Sequence, residues 1–129
     1  MNTNQLPREL ALLLCKRPRN GLCVHVSAVV SDRWGVFAWQ INYKSSPTSV
    51  RLPSGKEKWT IHAEEGALLR GHPKRMKGAT LTVAGLRVKN GHWVFARPCG
   101  EVCMALVKKR GIKKIEYTTK DGNWKEELL

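Results

Sequence analysis

Long hydrophobic runs are missing from this chain of 129 residues. The apolar stretch at residues 10–14 follows Glu9 and leads into Lys16 and Arg17. It is far shorter than the roughly 20 residues of a membrane span and has the wrong flanks for a signal peptide. The expectation is a cytoplasmic protein with no membrane partner. Internal repeats are absent too, and no linker divides the chain, so residues 1–129 are read as a single domain. Cysteine is scarce, with four residues, which excludes a disulfide-stapled scaffold. Cys15 and Cys23 can pair across a short loop, although free thiols fit the expected compartment better. Acidic residues are scarcest relative to their counterparts: 10 Asp and Glu face 23 Lys and Arg, a net charge of +13. One lysine run is an ordinary solvated face, but an excess of this size over a small domain points to a polyanionic partner. The clusters are Lys16, Arg17 and Arg19; then Arg70, Lys74, Arg75 and Lys77; then Lys108, Lys109, Arg110, Lys113 and Lys114.

What is present is an alternation of helical and extended patterns. Residues 7–17 read as a helix with Leu10, Leu13 and Leu14 at helical spacing, stopped by Pro18, Asn20 and Gly21. Residues 22–30 and 36–43 read as an antiparallel hairpin, and residues 43–58 as a loop without periodicity. A helix is expected over 61–70, a strand over 79–88 and an extended segment over 92–96. A second helix is expected over 99–110. Residues 115–119 and 124–128 flank Asp121-Gly122, a strong hairpin signal. Alternation of this kind implies an α/β fold with a central sheet covered by helices.

The chemistry is concentrated in His62-Ala63-Glu64 and Pro98-Cys99-Gly100-Glu101-Val102-Cys103. One imidazole and two thiolates can hold zinc and leave its fourth tetrahedral position to water, the mark of a catalytic site. On a helix over 99–110, Cys99 and Cys103 would share one face near the N-terminus, where the dipole favours thiolates. Glu64 sits where it can move protons on and off that water, and Glu65 beside it is a competitor for the role.

The H-x-E…P-C…C pattern resembles the zinc-dependent cytidine deaminase-like superfamily, with three residues between the cysteines where two are commoner. That resemblance implies a five-stranded mixed sheet with helices on both faces. Two motif helices would point at one Zn2+ held by His62, Cys99 and Cys103, with Glu64 as the catalytic proton carrier. It also implies nucleoside contacts from Asn42 and from the backbone at Ala63. A C-terminal antiparallel hairpin is similar to the free-cytidine and toxin-type deaminases, whereas tRNA adenosine and APOBEC-type enzymes run these strands parallel. Of the five tryptophans, Trp59 and Trp93 flank the motifs and can stack a base or fill the core. His25 reads as structural, and His72 and His92 as phosphate contacts or as nothing.

The reaction expected is hydrolytic conversion of cytosine to uracil. Nucleic acid, single-stranded DNA above all, is the expected substrate, with Arg70, Lys74 and Arg75 on its backbone. The alternative is salvage of free cytidine, deoxycytidine or their nucleotides, which the antiparallel ending supports; against it stands the charge, since one small anion does not need +13. RNA adenosine deamination and a non-catalytic zinc-stabilised nucleic-acid-binding module are weaker readings. A structural zinc would have no use for Glu64. A monomer is compatible with all of these.

Overall fold

The structure is a computed structural model, and it describes residues 5–17, 22–44, 50–51, 57–58, 60–100 and 102–129. Helix α1 (Gln5–Cys15) is followed by strands β1 (Val24–Asp32) and β2 (Gly35–Ile41). Helix α2 (Ala63–Arg70), a single turn α3 (Pro73–Met76) and strand β3 (Thr80–Arg87) come next. Helix α4 (Cys103–Arg110) and strands β4 (Lys114–Thr118) and β5 (Trp124–Leu128) complete the chain. Within the stretch expected as loop, Tyr43–Lys44 pairs with Thr60–Ile61 and Val50–Arg51 with Glu57–Lys58.

The five strands form one mixed sheet in the order β2-β1-β3-β4-β5. Only the β3–β4 pair is parallel; β1 pairs antiparallel with both neighbours, and β4 with β5. The expected C-terminal hairpin is therefore present. Its turn closes through the Gly122 N–H donating to the Thr119 carbonyl at 3.0 Å, with Gly122 at φ 80°. That left-handed value is why glycine follows aspartate there.

Strand β1 is buried without interruption from Ser27 to Ser31, so both of its faces must be covered. Ala28, Val30, Leu81, Val83, Ile115 and Tyr117 point to one face and pack with Ala67 and Leu68 of α2 and Val107 of α4. Val29 and Ala84 point to the other and meet Ala11, Leu14 and Cys15 of α1. Burial of a Leu, Ile or Val side chain on either face is worth roughly 1.5–3 kcal/mol. The inward stripe of α1 is thus Ala11, Leu14 and Cys15; Leu13, expected inside, is 64% exposed. His25 is structural as expected: its Nδ1 lies 2.9 Å from the Cys15 carbonyl and ties the end of α1 to β1. Cys15 and Cys23 are both free thiols.

On the α1 face the sheet also buries a carboxylate. Glu116 is 1% exposed, accepts from Arg8 Nη2 at 2.9 Å and from Thr82 Oγ1 at 2.7 Å, and has Lys114 Nζ 3.9 Å away. Arg8 also reaches Glu126 on β5 at 2.7 Å, so one α1 side chain pins β4 and β5 together.

Helix α2 lies close on β2 because residue 66 is glycine; a Cβ there would sit 2.5 Å from Gln40 Cγ. No described helix is long and apolar enough to cross a membrane. The parallel strands β3 and β4 finish at the same edge of the sheet, and the N-termini of α2 and α4 are brought to that edge. Sites in open α/β sheets form at such carboxyl ends.

Candidate metal centre and substrate pocket

His62 is the residue immediately before α2, in extended conformation at φ −72° and ψ 141°. The helix begins there because the Glu65 carboxylate, three positions on, accepts the His62 backbone N–H at 3.0 Å. The two glutamates therefore separate. Glu65 is engaged as a helix cap, while Glu64 is buried at 6% exposure and lines a pocket.

Helix α4 starts at Cys103, not at Cys99. Cys99 lies in the irregular segment before it, behind the buried Pro98, and its carbonyl accepts the Met104 N–H at 2.8 Å. The shared-face argument for the two cysteines is corrected accordingly: a carbonyl cap on the helix entry, rather than a helical turn, turns both sulfurs the same way.

The donor atoms of His62, Cys99 and Cys103 all lie within 4.8 Å of one another. His62 Nδ1 is 3.3 Å from Cys103 Sγ and 3.6 Å from Cys99 Sγ. Tetrahedral zinc with ordinary Zn–N and Zn–S bonds places N and S about 3.5 Å apart, so the spacing fits. Burial, reinforced by the charges of Glu64 and Cys99, pushes the Cys103 thiol well above its ordinary pKa. A divalent cation supplies the compensation that a pair of thiolates beside a carboxylate requires. Among the described residues this donor group has three members, and Glu64 is not one of them.

A pocket of about 400 Å³ opens at this centre, lined by His62, Ala63, Glu64, Cys99, Asn42 and Phe95 among others. Its size is within the roughly 300–1,000 Å³ of small-molecule sites. Asn42 is at the wall. Its Oδ1 accepts from the Val26 N–H at 2.8 Å and its Nδ2 donates to the Val24 carbonyl at 3.0 Å. The side chain thus holds the end of β2 against the start of β1. Ala63 is fully buried at the first position of α2.

The tryptophans are placed differently. Trp59 lies outside the described residues. Trp93 bridges to Leu86 and packs with the α1-side cluster, away from the pocket lining. Among the described residues the aromatic at the pocket is Phe95, 53% exposed and edge-on to Tyr117 with centroids 5.3 Å apart. Two arginines also line it. Arg97 is paired with Glu127 at 2.8 Å, whereas Arg87 makes no ion pair with a described residue. Phe95 and Arg97 were legible in principle, since they alternate with the buried Ala96 and Pro98 just before Cys99.

Arg70, Lys74 and Arg75 are exposed, but not beside the metal centre. Arg70 closes α2 at the end opposite His62, and Arg75 is paired with Asp32 at 2.8 Å. That pair and an indole-bearing turn belong to the other edge of the sheet.

The comparison with solved structures decides the fold. The crystal structure of dCMP deaminase from the cyanophage S-TIM5 in apo form superposes with a TM-score of 0.52 and 19% identity, over 89% of this chain and 81% of that one. The fold is cytidine deaminase-like. The same phage enzyme in complex with dCMP and dUMP gives a TM-score of 0.49 at 19% identity, covering 89% of this chain and 76% of that one. No protein-family model and no curated protein matches the chain. The likeness is one of fold, and the donor group of His62, Cys99 and Cys103 rests on its own distances.

Proposed function

We propose that this protein is a zinc-dependent hydrolytic deaminase that converts cytosine to uracil in nucleic acid, single-stranded DNA above all. The observation that carries the reading is a buried glutamate, Glu64, at a pocket beside a three-donor metal set that excludes it. Zinc bound there supplies Lewis-acid activation of a water, bringing its pKa toward neutrality. His62, Cys99 and Cys103 would hold that ion beside the pocket. Glu64 takes the proton from the attacking water, passes it to ring N3 and assists departure of the C4 amino group as ammonia. Burial keeps its carboxylate out of competition with bulk water. Glu65 holds His62 in place through the helix cap. Asn42 and Phe95 form walls against which the sugar and base are oriented, and Arg87 at the mouth suits a phosphate.

The polynucleotide substrate is supported by the +13 charge and by the cationic mouth. A second reading, free deoxycytidine monophosphate, is favoured by the substrate named for the phage enzyme and by the match of one arginine without a described ion pair, Arg87, to one phosphate. Comparison of kcat/KM on deoxycytidine, dCMP and a cytosine-containing oligonucleotide at equal salt separates the two. Turnover of the oligonucleotide at higher efficiency than dCMP is expected. Efficient turnover of the monomers with none on the oligonucleotide establishes the salvage reading instead.

A further inference from the structure

The second concavity of interest is at the far edge of the sheet. It has a volume of about 630 Å³ and is built from the β1–β2 turn, α3 with its exit, and the loops entering β3 and β4. Five cationic side chains line it against one carboxylate. That carboxylate, Asp32, is already bound by Arg75 through two contacts at 2.8 and 2.9 Å. The pairing draws the Asp32 carboxyl below the usual carboxylate range, so it stays ionised and consumes only Arg75. Arg33, Lys74, Lys77 and Lys113 remain exposed, without an ion pair to a described residue. The same cleft carries Trp34, which is 77% exposed and has the Arg33 guanidinium 5.0 Å from its ring centroid. An indole left this open has no part in the core, and a cation-flanked aromatic is what an unpaired nucleobase stacks on.

We infer that this cleft is a second nucleic-acid site, with Trp34 stacking an unpaired base and Arg33, Lys74, Lys77 and Lys113 contacting the phosphates of a single strand. The inference deepens the polynucleotide reading and rests on it for its purpose, but it concerns residues outside the metal centre. Val24 and Arg87 line the metal-side pocket, while Ser31 and Thr80, on the same two strands, line the cleft. Seven residues of strand separate the members of each pair, roughly 23 Å. A single mononucleotide cannot touch both ends. A strand can, and the cleft would then retain substrate while successive bases are presented to the pocket. It also gives Lys74 a role that its distance from the metal denies it at the catalytic mouth.

The test is binding of fluorescent dT20, which has no cytosine and so reads affinity independently of deamination. Trp34→Ala is expected to weaken binding about 5- to 150-fold, the span of one lost base–aromatic stack. Lys74→Glu/Lys77→Glu/Lys113→Glu should weaken it further and flatten the log–log salt slope by about 2, at about 0.7 per phosphate contact. A control with the same charge change elsewhere, Lys89→Glu/Lys120→Glu/Lys125→Glu, should retain most of the affinity. If the lysine reversals unfold the domain, Trp34→Ala and the triple Lys→Gln variant read the same quantity. Wild-type affinity in Trp34→Ala, equal losses in the control, or equal displacement of dT20 by poly-glutamate would each overturn the inference. Tight dT20 binding lost in these variants, together with no turnover of any cytosine substrate, would leave the cleft standing and remove the deaminase reading.

Discussion

Replacing Glu64 with glutamine removes the proton carrier while filling the same buried volume. Glu64 is 6% exposed, so the amide meets no steric penalty and solvent cannot substitute for the lost carboxylate. A general acid–base group is worth about 10²–10⁴-fold, or roughly 2.7–5.5 kcal/mol of barrier. Glu64 serves the water, ring N3 and the leaving amine in turn, which puts the expected loss of kcat at the upper end. Zinc content should not fall, because Glu64 is outside the donor group and its charge is among those that disfavour the Cys103 thiolate. The neighbouring Glu65→Ala change behaves differently. It deletes the 3.0 Å cap on the His62 N–H, costing about 0.5–2 kcal/mol of stability, and leaves zinc-loaded turnover within a few-fold of wild type. The assay is kcat on a cytosine oligonucleotide, with metal content and thermal midpoint measured on the same preparations. A dead Glu65 variant beside an active Glu64 variant would refute the assignment. Loss of zinc in Glu64→Gln would refute the claim that this glutamate is not a ligand.

Protein purified without added metal should carry about one zinc per chain by elemental analysis, and Cys99→Ser should lose it; an active metal-free preparation refutes the centre. Arg8→Met strands the buried Glu116 with only the more distant Lys114 as a cation, and should cost about 3 kcal/mol in denaturant unfolding. Glu127 is held at a pKa of about 2 by Arg97 first and then by the Tyr117 hydroxyl. Its folded-state value is below its unfolded one, so its contribution is present above about pH 4.5 and is lost as the pH falls toward 2. Glu127→Gln should therefore be less stable at neutrality and show a shallower acid decline across that window; an unchanged pH profile would refute the pairing.

The sequence by itself determined the parts whose chemistry is local. His-x-Glu and the two cysteines identify a metal set because ligand type and proton carrier are properties of side chains, whatever the backbone does. The Asp121-Gly122 turn and the regions of strand and helix follow from periodicity and from the conformational freedom of glycine, which act over a few residues. Tertiary structure decided what depends on partners distant in the chain. Leu13 matched the apolar period of α1, yet it faces out because Ala11, Leu14 and Cys15 fit the sheet more closely. Cys99 lies outside the helix, with its carbonyl accepting from the Met104 N–H and its sulfur meeting His62, contacts to partners that the local sequence does not specify. Glu64 and Glu65 are chemically identical and adjacent; only the direction in which α2 leaves His62 sends one to the pocket and the other to the backbone. Trp93 pairs with Leu86 in an isolated bridge and joins the α1-side cluster, while Phe95, two residues on in the irregular segment before Cys99, lies at the pocket; a regular strand would have put both on one face. The basic residues show the same limit. Charge is countable in a sequence, but which end of the sheet carries Lys74 and Trp34 is settled by how far β1 and β3 run before they turn.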